Sequence, residues 1–335
     1  MTGEWGSTTV RRVTSGARIV SVGAYRPDRV VSNDEVCALV GSTDEWVRRR
    51  SGIETRRFAG PDENVVSMAV EAGRSALARA GIAASRVDTV IVATMSHLEQ
   101  TPAAAPQVAD RLGSRAAAFD VNSACAGFCV ALGTADALVR AGTAEYVLVI
   151  GADKMTDIID PRDRSTAVLF GDGAGAVVVG PGDAGITPVA WSSDGSGRDL
   201  IAHSAPWTAL RDDPATEWPT MRMAGQSVFR WATREVPATA RAALKLAGLT
   251  VDDLAAFVPH QANIRITEAI AKALDLPDHV VVAQDVRTSG NTSAASIPLA
   301  IDQLLSTMDN LSGGQALLVG FGAGLTQAAQ VVELP

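Results

Sequence analysis

The chain contains an internal repeat, and no other feature limits its fold as strongly. The segment 74–82 (RSALARAGI) matches the segment 241–249 (RAALKLAGL), so position 74 corresponds to position 241, an offset of 167 in a chain of 335 residues. The dipeptide DV at position 120 recurs at 285, and the dipeptide FG at 170 recurs at 321. This order predicts two like halves that pack about a pseudo-twofold axis, with equivalent strand ends close together.

Each half alternates short β-branched runs with Ala-rich helical stretches, which is typical of helices packed on sheets. In the first half we predict strands at Ala17–Ala24, Thr89–Thr94, Ala117–Val121, Tyr146–Ile150 and Ala174–Val179, and helices at Val65–Ala80, Ala104–Leu112 and Ala126–Arg140. In the second half we predict strands at Ile186–Trp191, Leu254–Val258, Val280–Ala283, Ala316–Val319 and Ala328–Leu334, and helices at Val228–Ala247, Ile264–Leu274 and Ala294–Leu305. The sequence therefore predicts an α/β chain of two βαβαβαββ halves, at 17–181 and 182–335, after a flexible tail at 1–16.

One connection, 196–225, is too long for an ordinary loop. It contains Trp207, Trp218, several prolines and charges of both signs. Such an excursion is expected to cover a site or a partner surface.

Composition excludes several classes of protein. The net charge of −8 gives no global attraction to nucleic acid or anionic membranes, so an acidic partner has to meet a local basic patch. Three cysteines are too few for a disulfide framework and have no zinc-site spacing with histidine, which indicates a reducing compartment and no metal. The apolar runs fall far short of about 20 residues, and the N-terminus does not resemble a signal peptide. We expect a soluble, cytoplasmic protein.

Cys125 is the strongest candidate for a nucleophile. It follows a predicted strand and begins a predicted helix, where free N–H groups and the helix dipole stabilise a thiolate. The small neighbours Ala124 and Ala126 leave room for a substrate. Most free cysteines are buried core residues, and that interpretation suits Cys37 and Cys129.

His260 lies in the segment 258–263 (VPHQAN), at the end of a strand in the second half. Strand ends of this kind carry active sites in α/β sheets. His203 and His279 are less well placed, and His97 is a distant second candidate. Any single histidine is more often a surface or core residue than a catalytic one.

Asn291 lies in the segment 289–294 (SGNTSA), between a predicted strand and a predicted helix. By the repeat, it should fall within one or two residues of the counterpart of Cys125. Taken alone, this asparagine is better explained as a helix cap. Together with Cys125 and His260, it forms a constellation that three structural residues would seldom produce.

Two glycine-rich segments, 170–175 (FGDGAG) and 320–324 (GFGAG), share the glycine spacing of part of a dinucleotide fingerprint. A strand rather than a helix is predicted after each, so no helix N-terminus faces a pyrophosphate. We interpret both as tight strand-to-strand turns whose N–H groups could form an oxyanion hole.

With these residues on a duplicated frame, the sequence resembles the thiolase-fold condensing enzymes, and most closely the β-ketoacyl-acyl carrier protein synthase III family. The resemblance runs from about Ala17 to Leu334. Its segments, which are specific when taken in order, are 42–46 (STDEW), 50–53 (RSGI), 124–128 (ACAGF), 170–175 (FGDGAG), 258–263 (VPHQAN) and 290–295 (GNTSAA). It implies a thiolase-like fold with α-β-α-β-α layers.

The resemblance also implies a Cys-His-Asn triad that works in two stages. The Cys125 thiolate first attacks an acyl-CoA, and the amides of Cys125 and of the turn around Ala323 hold the oxyanion. Ala323 stands where many relatives have glycine, so its role requires a permissible φ. Malonyl-acyl carrier protein then loses CO₂, and His260 and Asn291 stabilise the enolate. No cofactor is needed, since acyl-CoA is a substrate.

The family further implies where the two substrates bind. Trp46 would stack on the adenine with Arg164 on the other face of the base, and Arg50 would meet a CoA phosphate. The other expected CoA contacts are Asn263, on the pantetheine arm, and Gly225. The expected basic patch for the acidic carrier protein comprises Arg230, Arg265 and Lys272, although a solvated charged face explains these residues equally well.

Thr101 aligns with a position where some relatives carry a phenylalanine that reaches into the acyl pocket of the partner subunit. A smaller residue suggests a starter larger than acetyl, and the arrangement implies a homodimer. Two other functions compete with condensation. One is starter-specific acyl transfer in a secondary-metabolite pathway without C–C bond formation, and the other is a non-catalytic acyl-CoA-binding subunit. The presence of all three triad residues favours condensation.

Overall fold

The computed structural model describes residues 16–183 and 185–335. The elements of the first half are β1 (Gly16–Tyr25), β2 (Val30–Ser32), α1 (Asn33–Val40), α2 (Asp44–Ser51), β3 (Thr55–Arg57), α3 (Val65–Ala80), β4 (Thr89–Ala93), α4 (Ala104–Leu112), β5 (Ala117–Val121), α5 (Gly127–Arg140), β6 (Val147–Asp153) and β7 (Gly173–Gly182). Those of the second half are β8 (Ala190–Ser193), β9 (Ile201–His203), α6 (Thr208–Asp212), β10 (Met221–Met223), α7 (Gly225–Ala247), β11 (Leu254–Pro259), α8 (Ile264–Ala273), β12 (Val281–Val282), α9 (Val286–Ser289), α10 (Ser296–Thr307), β13 (Gln315–Gly322) and β14 (Thr326–Glu333).

The two main sheets have the same topology, as a duplicated chain requires. Their strand orders are β1-β7-β6-β4-β5 and β8-β14-β13-β11-β12. Within each sheet the same three strands are parallel, β6-β4-β5 in one and β13-β11-β12 in the other, and the remaining pairs are antiparallel. The predicted duplication is therefore confirmed strand by strand.

The halves share one core. Phe128 and Leu132 of α5 are fully buried in the same cluster as Ile297 and Ile301 of α10, and this cluster includes strands of both sheets. Helices α3 and α4 cover the outer face of the first sheet, and α7 and α8 cover that of the second. Burial of each such side chain stabilises the fold by about 1.5–3 kcal/mol. The layers are α-β-α-β-α, the predicted architecture.

The repeated segments correspond to equivalent helix ends. Gly81 and Gly248 are the C-caps of α3 and α7, with φ of 65° and 70°. This left-handed conformation is accessible to glycine at little cost, so the cap explains the matched glycines.

Several predicted boundaries are wrong in detail. The strand expected at Ile186–Trp191 begins only at Ala190, since Ile186 makes just an isolated bridge to Val332. The strand expected at Val280–Ala283 contains only Val281–Val282. The sequence patterns also miss the short elements β2, α1, α2 and β3.

The helices expected from Ala126 and Ala294 begin instead with 3₁₀ turns, Ala124–Ala126 and Ser293–Ala295. The first residue of each turn has positive φ, 45° at Ala124 and 52° at Ser293. Regular α-helix therefore starts only at Gly127 and Ser296.

These two turns also correct the alignment of the halves. Position 124 corresponds to 293, so the counterpart of Cys125 is Ala294 and that of Asn291 is Asn122. The predicted equivalence of Cys125 and Asn291 is wrong by three residues. The matched FG dipeptides are not equivalent either, since Phe321 lies within β13 and Phe170 lies outside the strands.

In the excursion 196–225, β9 and β10 pair as an antiparallel ribbon, and the Met221 N–H donates to the Ile158 carbonyl of the first half at 2.7 Å. The predicted tail falls almost entirely on residues 1–15, outside the described residues, and β1 begins at Gly16. Within the ranges given above, no helix has both the length and the apolarity needed to cross a membrane.

Candidate active site

A cavity of about 530 Å³ opens at the junction of the two halves. Cys125 reaches it from the first half, and His260, Asn291 and Ala323 reach it from the second. The structure thus brings together the three residues of the predicted triad and the predicted oxyanion residue. The excursion contributes Ile201, Met221 and Met223 to the wall, as expected for a segment that covers a site.

Cys125 occupies the middle of the first 3₁₀ turn, directly before α5. Its thiol donates a hydrogen bond to the Ser293 hydroxyl, with 3.5 Å between Sγ and Oγ. Burial raises the pKa of the thiol to about 12, and the hydrogen bond to Ser293 opposes this shift. Desolvation thus opposes the thiolate stabilisation expected at this helix N-terminus.

His260 directly follows β11 and is 3% exposed. Its backbone N–H donates to the Val319 carbonyl at 2.8 Å. Its ring Nδ1 shares a 2.8 Å hydrogen bond with the Ser296 hydroxyl. A hydroxyl both donates and accepts, so this bond persists in either ring tautomer and leaves Nε2 for the cavity. Burial lowers the pKa of the imidazole to about 3, so it is neutral at physiological pH.

This shift predicts a loss of stability in acid that depends on His260. Between about pH 6.5 and pH 3 the unfolded chain binds a proton that the folded imidazole rejects, so the free energy of unfolding falls as pH falls. Relative to His260→Gln, the wild-type protein should lose roughly 3 kcal/mol between pH 7 and pH 4. Urea denaturation of both proteins across this range measures the difference, and parallel pH profiles would contradict it.

The backbone of Asn291 is held by the segment before β7. Its N–H donates to Leu169 O at 2.8 Å, and its carbonyl accepts from Gly171 N–H at 3.0 Å. The side-chain Oδ1 accepts the Ser293 N–H at 2.9 Å. Because the oxygen is used in this way, the Nδ2 donors remain for the cavity. Asn291 is not the N-cap that the alternative interpretation expects, because Thr292 occupies that position of the 3₁₀ turn.

The close approach of β13 to Cys125 requires glycine at position 322. A Cβ added there would lie 2.9 Å from Cys125 Cβ and 3.3 Å from its Sγ. Ala323 follows directly and is not among the described non-glycine residues with positive φ. Alanine therefore satisfies the backbone condition on which its predicted oxyanion role depends.

Gly322→Ala should displace the nucleophile. We expect acylation of Cys125 to slow by roughly 10- to 100-fold, because sub-ångström placement controls such reactions. Gly195→Ala is the matched control, since a Cβ there meets nothing within 4 Å. Single-turnover acylation of the two variants measures the effect, and equal rates would contradict this account of the contact.

The two glycine-rich segments differ. The segment 320–324 leads from β13 through the 3₁₀ turn Ala323–Leu325 into antiparallel β14, so its predicted role as a strand-to-strand turn is confirmed. The segment 170–175 is not such a turn, because residues 154–172 separate β6 from β7. A strand does follow it, as predicted, and Phe170 forms an isolated bridge with Asn291.

All five residues predicted to contact CoA line the cavity: Trp46, Arg50, Arg164, Gly225 and Asn263. The guanidinium carbons of Arg164 and Arg50 lie 5.1 Å and 5.9 Å from the Trp46 ring centroid. These are direct cation–π contacts, so Arg164 has to move before a base can enter between it and the indole. Asn263 Oδ1 caps α8 through the Ile266 N–H at 3.0 Å, which leaves its amide donors available.

The predicted carrier patch is only partly assembled. Arg230 and Arg265 are exposed and line the cavity, and Arg265 lies over Phe229. Lys272 instead lines a separate groove with Asp275 and Asp278. The exposed Glu268 stands between Arg265 and Lys272 on α8, so this face alternates in charge.

Thr101 is exposed in the connection before α4 and is not part of the cavity wall described within one chain. His97, in the same connection, is likewise not among the residues that line it. No group of three or more His, Cys, Asp or Glu side chains is arranged to hold a metal ion in the described part of the chain.

Sequence reasoning missed Ser293, Ser296 and Asp153. The two hydroxyls contact Cys125 and His260, and the buried Asp153 carboxylate accepts the Ala294 N–H at 3.0 Å. A serine two residues after Asn291 carries no sequence signal of its own. The position of Ser293 opposite Cys125 follows only from the packing of the two 3₁₀ turns.

A duplicated α-β-α-β-α frame with Cys, His and Asn at one cavity defines the class of thiolase-fold condensing enzymes. Family models described as 3-oxoacyl-[acyl-carrier-protein] synthase III and its C-terminal region match residues 119–195 and 244–334. The chain belongs to the β-ketoacyl-acyl carrier protein synthase III family, and it is an acyltransferase-type condensing enzyme.

Individual relatives match over nearly the whole chain. The β-ketoacyl-[acyl-carrier-protein] synthase III 1 of Streptomyces coelicolor is 52% identical, over 95% of this chain and 96% of its own. The crystal structure of the priming β-ketosynthase from the R1128 polyketide pathway has a TM-score of 0.94 at 48% identity and covers 97% of both chains. The synthase III of Pseudomonas aeruginosa has a TM-score of 0.88 at 39% identity, over 96% of this chain and 98% of its own.

Proposed function

We propose that the enzyme condenses an acyl-CoA starter with malonyl-acyl carrier protein, releases CO₂ and forms a 3-oxoacyl-carrier protein. The observation that carries this proposal is the cavity itself, whose lining includes a thiol, a neutral imidazole and an amide with available donors. These groups suit successive acyl transfer and enolate stabilisation. Relatives named for fatty-acid and for polyketide synthesis support starter condensation in either pathway.

In the first stage, Cys125 sulfur attacks the thioester carbon of acyl-CoA. The bond to the CoA sulfur breaks, the bond to Cys125 forms, and the thiol proton leaves with CoA. The carbonyl oxygen becomes an oxyanion, which the amides of Cys125 and Ala323 stabilise at the wall formed by β13. The high thiol pKa means that the proton departs only as the thioester is attacked.

In the second stage, malonyl-carrier protein enters the cavity vacated by CoA and loses CO₂. His260 Nε2–H and the Asn291 amide donate to the thioester oxygen, on which the enolate charge develops. Burial lowers the pKa of His260 to about 3, so the ring that gives this hydrogen bond is a neutral imidazole. The enolate carbon then attacks the acyl-enzyme and releases Cys125 as a thiolate, which takes up a proton from solvent to restore the thiol. No resident cofactor takes part.

The cavity mouth supports the two substrate sites. Trp46, Arg50 and Arg164 supply an aromatic face and two cations for the nucleotide end of CoA, while Gly225 and Asn263 line the approach to Cys125. Arg230 and Arg265 supply exposed positive charge beside the mouth for an acidic carrier protein. Lys272 is not assigned to this carrier-protein site, because its groove also contains the acidic residues Asp275 and Asp278.

A homodimer fits the open edge of the first sheet. Strand β5 pairs only with β4 among the described strands, and its Phe119 is 39% exposed. An exposed strand edge with an apolar side chain can pair with a second copy. The connection that contains Thr101 is tied to this strand, since the Ala104 N–H donates to the Asp120 carboxylate at 2.8 Å, so Thr101 would then approach the partner subunit.

In such a dimer the small Thr101 side chain leaves space at the end of an acyl chain. The enzyme should therefore prefer branched or longer acyl-CoA starters to acetyl-CoA. Competition between acetyl-CoA and isobutyryl-CoA for acylation of Cys125 measures this preference. A clear preference for acetyl-CoA would contradict it.

Acyl loading tests the first stage of the proposed function. Incubation with acyl-CoA alone should release one CoA per active site and add one acyl group to the peptide that contains Cys125. A protein that binds acyl-CoA without releasing CoA would instead be the non-catalytic subunit considered above.

A further inference from the structure

Ser293 contacts two residues of the triad, although it does not line the cavity. It is fully buried, and its hydroxyl oxygen accepts the hydrogen bond from the Cys125 thiol at 3.5 Å. Its backbone N–H donates to Asn291 Oδ1 at 2.9 Å. One residue of the second half therefore positions the nucleophile of the first half and the amide of Asn291.

The buried Asp153 carboxylate anchors this arrangement at the end of β6. Its Oδ1 accepts from the Met95 N–H at 2.9 Å and from the Ser96 hydroxyl at 2.7 Å, and its Oδ2 accepts from the Ala294 N–H at 3.0 Å. Burial raises the pKa of this carboxyl, and hydrogen bonds, including one from the Ser293 side chain, act in the opposite direction. Through the Ala294 N–H, the Asp153 carboxylate holds the backbone of the turn directly beside Ser293.

The backbone conformation of the turn does not account for the Ser293 hydroxyl. Ser293 has a φ of 52°, in the left-handed region. A non-glycine residue there costs roughly 1 kcal/mol relative to glycine. The equivalent Ala124, at φ 45°, has no hydroxyl, so the fold of the turn does not require one.

We propose that Ser293 is a positioning residue for acyl loading, whose hydroxyl accepts from the Cys125 thiol at rest and turns to donate to the sulfur as its proton leaves. This inference rests on the proposed function. In that step the acyl carbon exchanges its bond to CoA sulfur for a bond to Cys125 sulfur, and the thiol proton ends on the released CoA. The Ser293 hydroxyl loses no atom and changes only the direction of its hydrogen bond.

The test compares Ser293→Ala and Ser293→Gly with a matched control, Ser21→Ala. Ser21 lies on β1 and does not line the cavity. Its hydroxyl is also buried and donates to the Ala76 carbonyl at 2.7 Å. The glycine variant removes the hydroxyl but suits the left-handed backbone, so it separates chemistry from strain. Single-turnover acylation is measured with isobutyryl-CoA and acetyl-CoA.

Both Ser293 variants should acylate roughly 10- to 100-fold more slowly, as expected for loss of a hydrogen bond to a developing charge. Their pre-acylated forms should condense with malonyl-carrier protein within about threefold of wild type, and Ser21→Ala should match wild type in both steps. Alkylation of Cys125 by iodoacetamide should also shift to higher pH in the Ser293 variants, because the thiolate has lost a donor.

Three results would overturn the role of Ser293. They are acylation of Ser293→Gly at the wild-type rate, an alkylation profile that does not shift to higher pH in the Ser293 variants, and an equal slowing of both half-reactions. Failure of the wild-type enzyme to acquire an acyl group would overturn the proposed function instead. The alkylation profile needs no substrate, so it tests the contact between Ser293 and Cys125 in either case.

Discussion

Replacing Cys125 by alanine should abolish acyl loading and reduce condensation by roughly 10³-fold or more, the scale seen when a catalytic nucleophile is removed. The reason is chemical, because a covalent intermediate needs the sulfur and the Ser293 hydroxyl behind it does not line the cavity. Intact-mass analysis after incubation with acyl-CoA detects the loss directly. The variant should still bind acyl-CoA, since the side chains at the cavity mouth are unchanged.

Cys129→Ala is the control for this change. Cys129 lies one helical turn further along α5, is fully buried and does not line the cavity. Its replacement should leave acylation of Cys125 intact and cost stability only through a small void. If the acyl group persists in Cys125→Ala, or is lost only in Cys129→Ala, then Cys125 is not the nucleophile.

Replacing His260 or Asn291 by alanine should separate the two half-reactions. Each residue offers a donor to the enolate formed from malonyl-carrier protein, and loss of one such donor costs roughly 10²–10³-fold. Acylation of Cys125 should fall far less, because the proposed oxyanion donors of that stage are the amides of Cys125 and Ala323. Rapid-quench acylation and malonyl decarboxylation, measured separately, give the two rates.

Asn291→Asp adds a sharper control. Aspartate keeps the oxygen that accepts the Ser293 N–H, so the turn is retained, but it replaces the amide donors with negative charge. Decarboxylation should fall at least as far as in Asn291→Ala. Equal losses in both half-reactions, or decarboxylation as fast as in wild type, would show that Asn291 does not serve the enolate.

Much of this fold could be predicted from the sequence because its signals are local. The alternation of strands and helices, and the matched caps at Gly81 and Gly248, follow from periodicity and from the conformational freedom of glycine. The setting of Cys125 between a strand and a helix, and that of His260 after β11, are likewise evident from neighbouring residues.

What could not be predicted depends on contacts between the halves. The left-handed turns at Ala124 and Ser293 contain no glycine that would mark them in the sequence. The sequence repeat alone therefore places Asn291 three residues from the true counterpart of Cys125. The thiol pKa depends on burial beneath the second half, which opposes the effect of the helix N-terminus. Lys272 shares a helix face with Arg265, yet the loop after α8 places two carboxylates beside it.

The proposed reaction is tested most directly by the CO₂ released for each acyl group consumed. Enzyme first loaded with acyl-CoA is mixed with malonyl-carrier protein labelled in its free carboxyl group, and the label released is counted against the 3-oxoacyl-carrier protein formed. A decarboxylative condensing enzyme should release one labelled CO₂ for each product, and the acyl group should leave Cys125 at the same rate. Transfer of the acyl group without release of the label would contradict the proposal and identify the enzyme as an acyltransferase that forms no carbon–carbon bond.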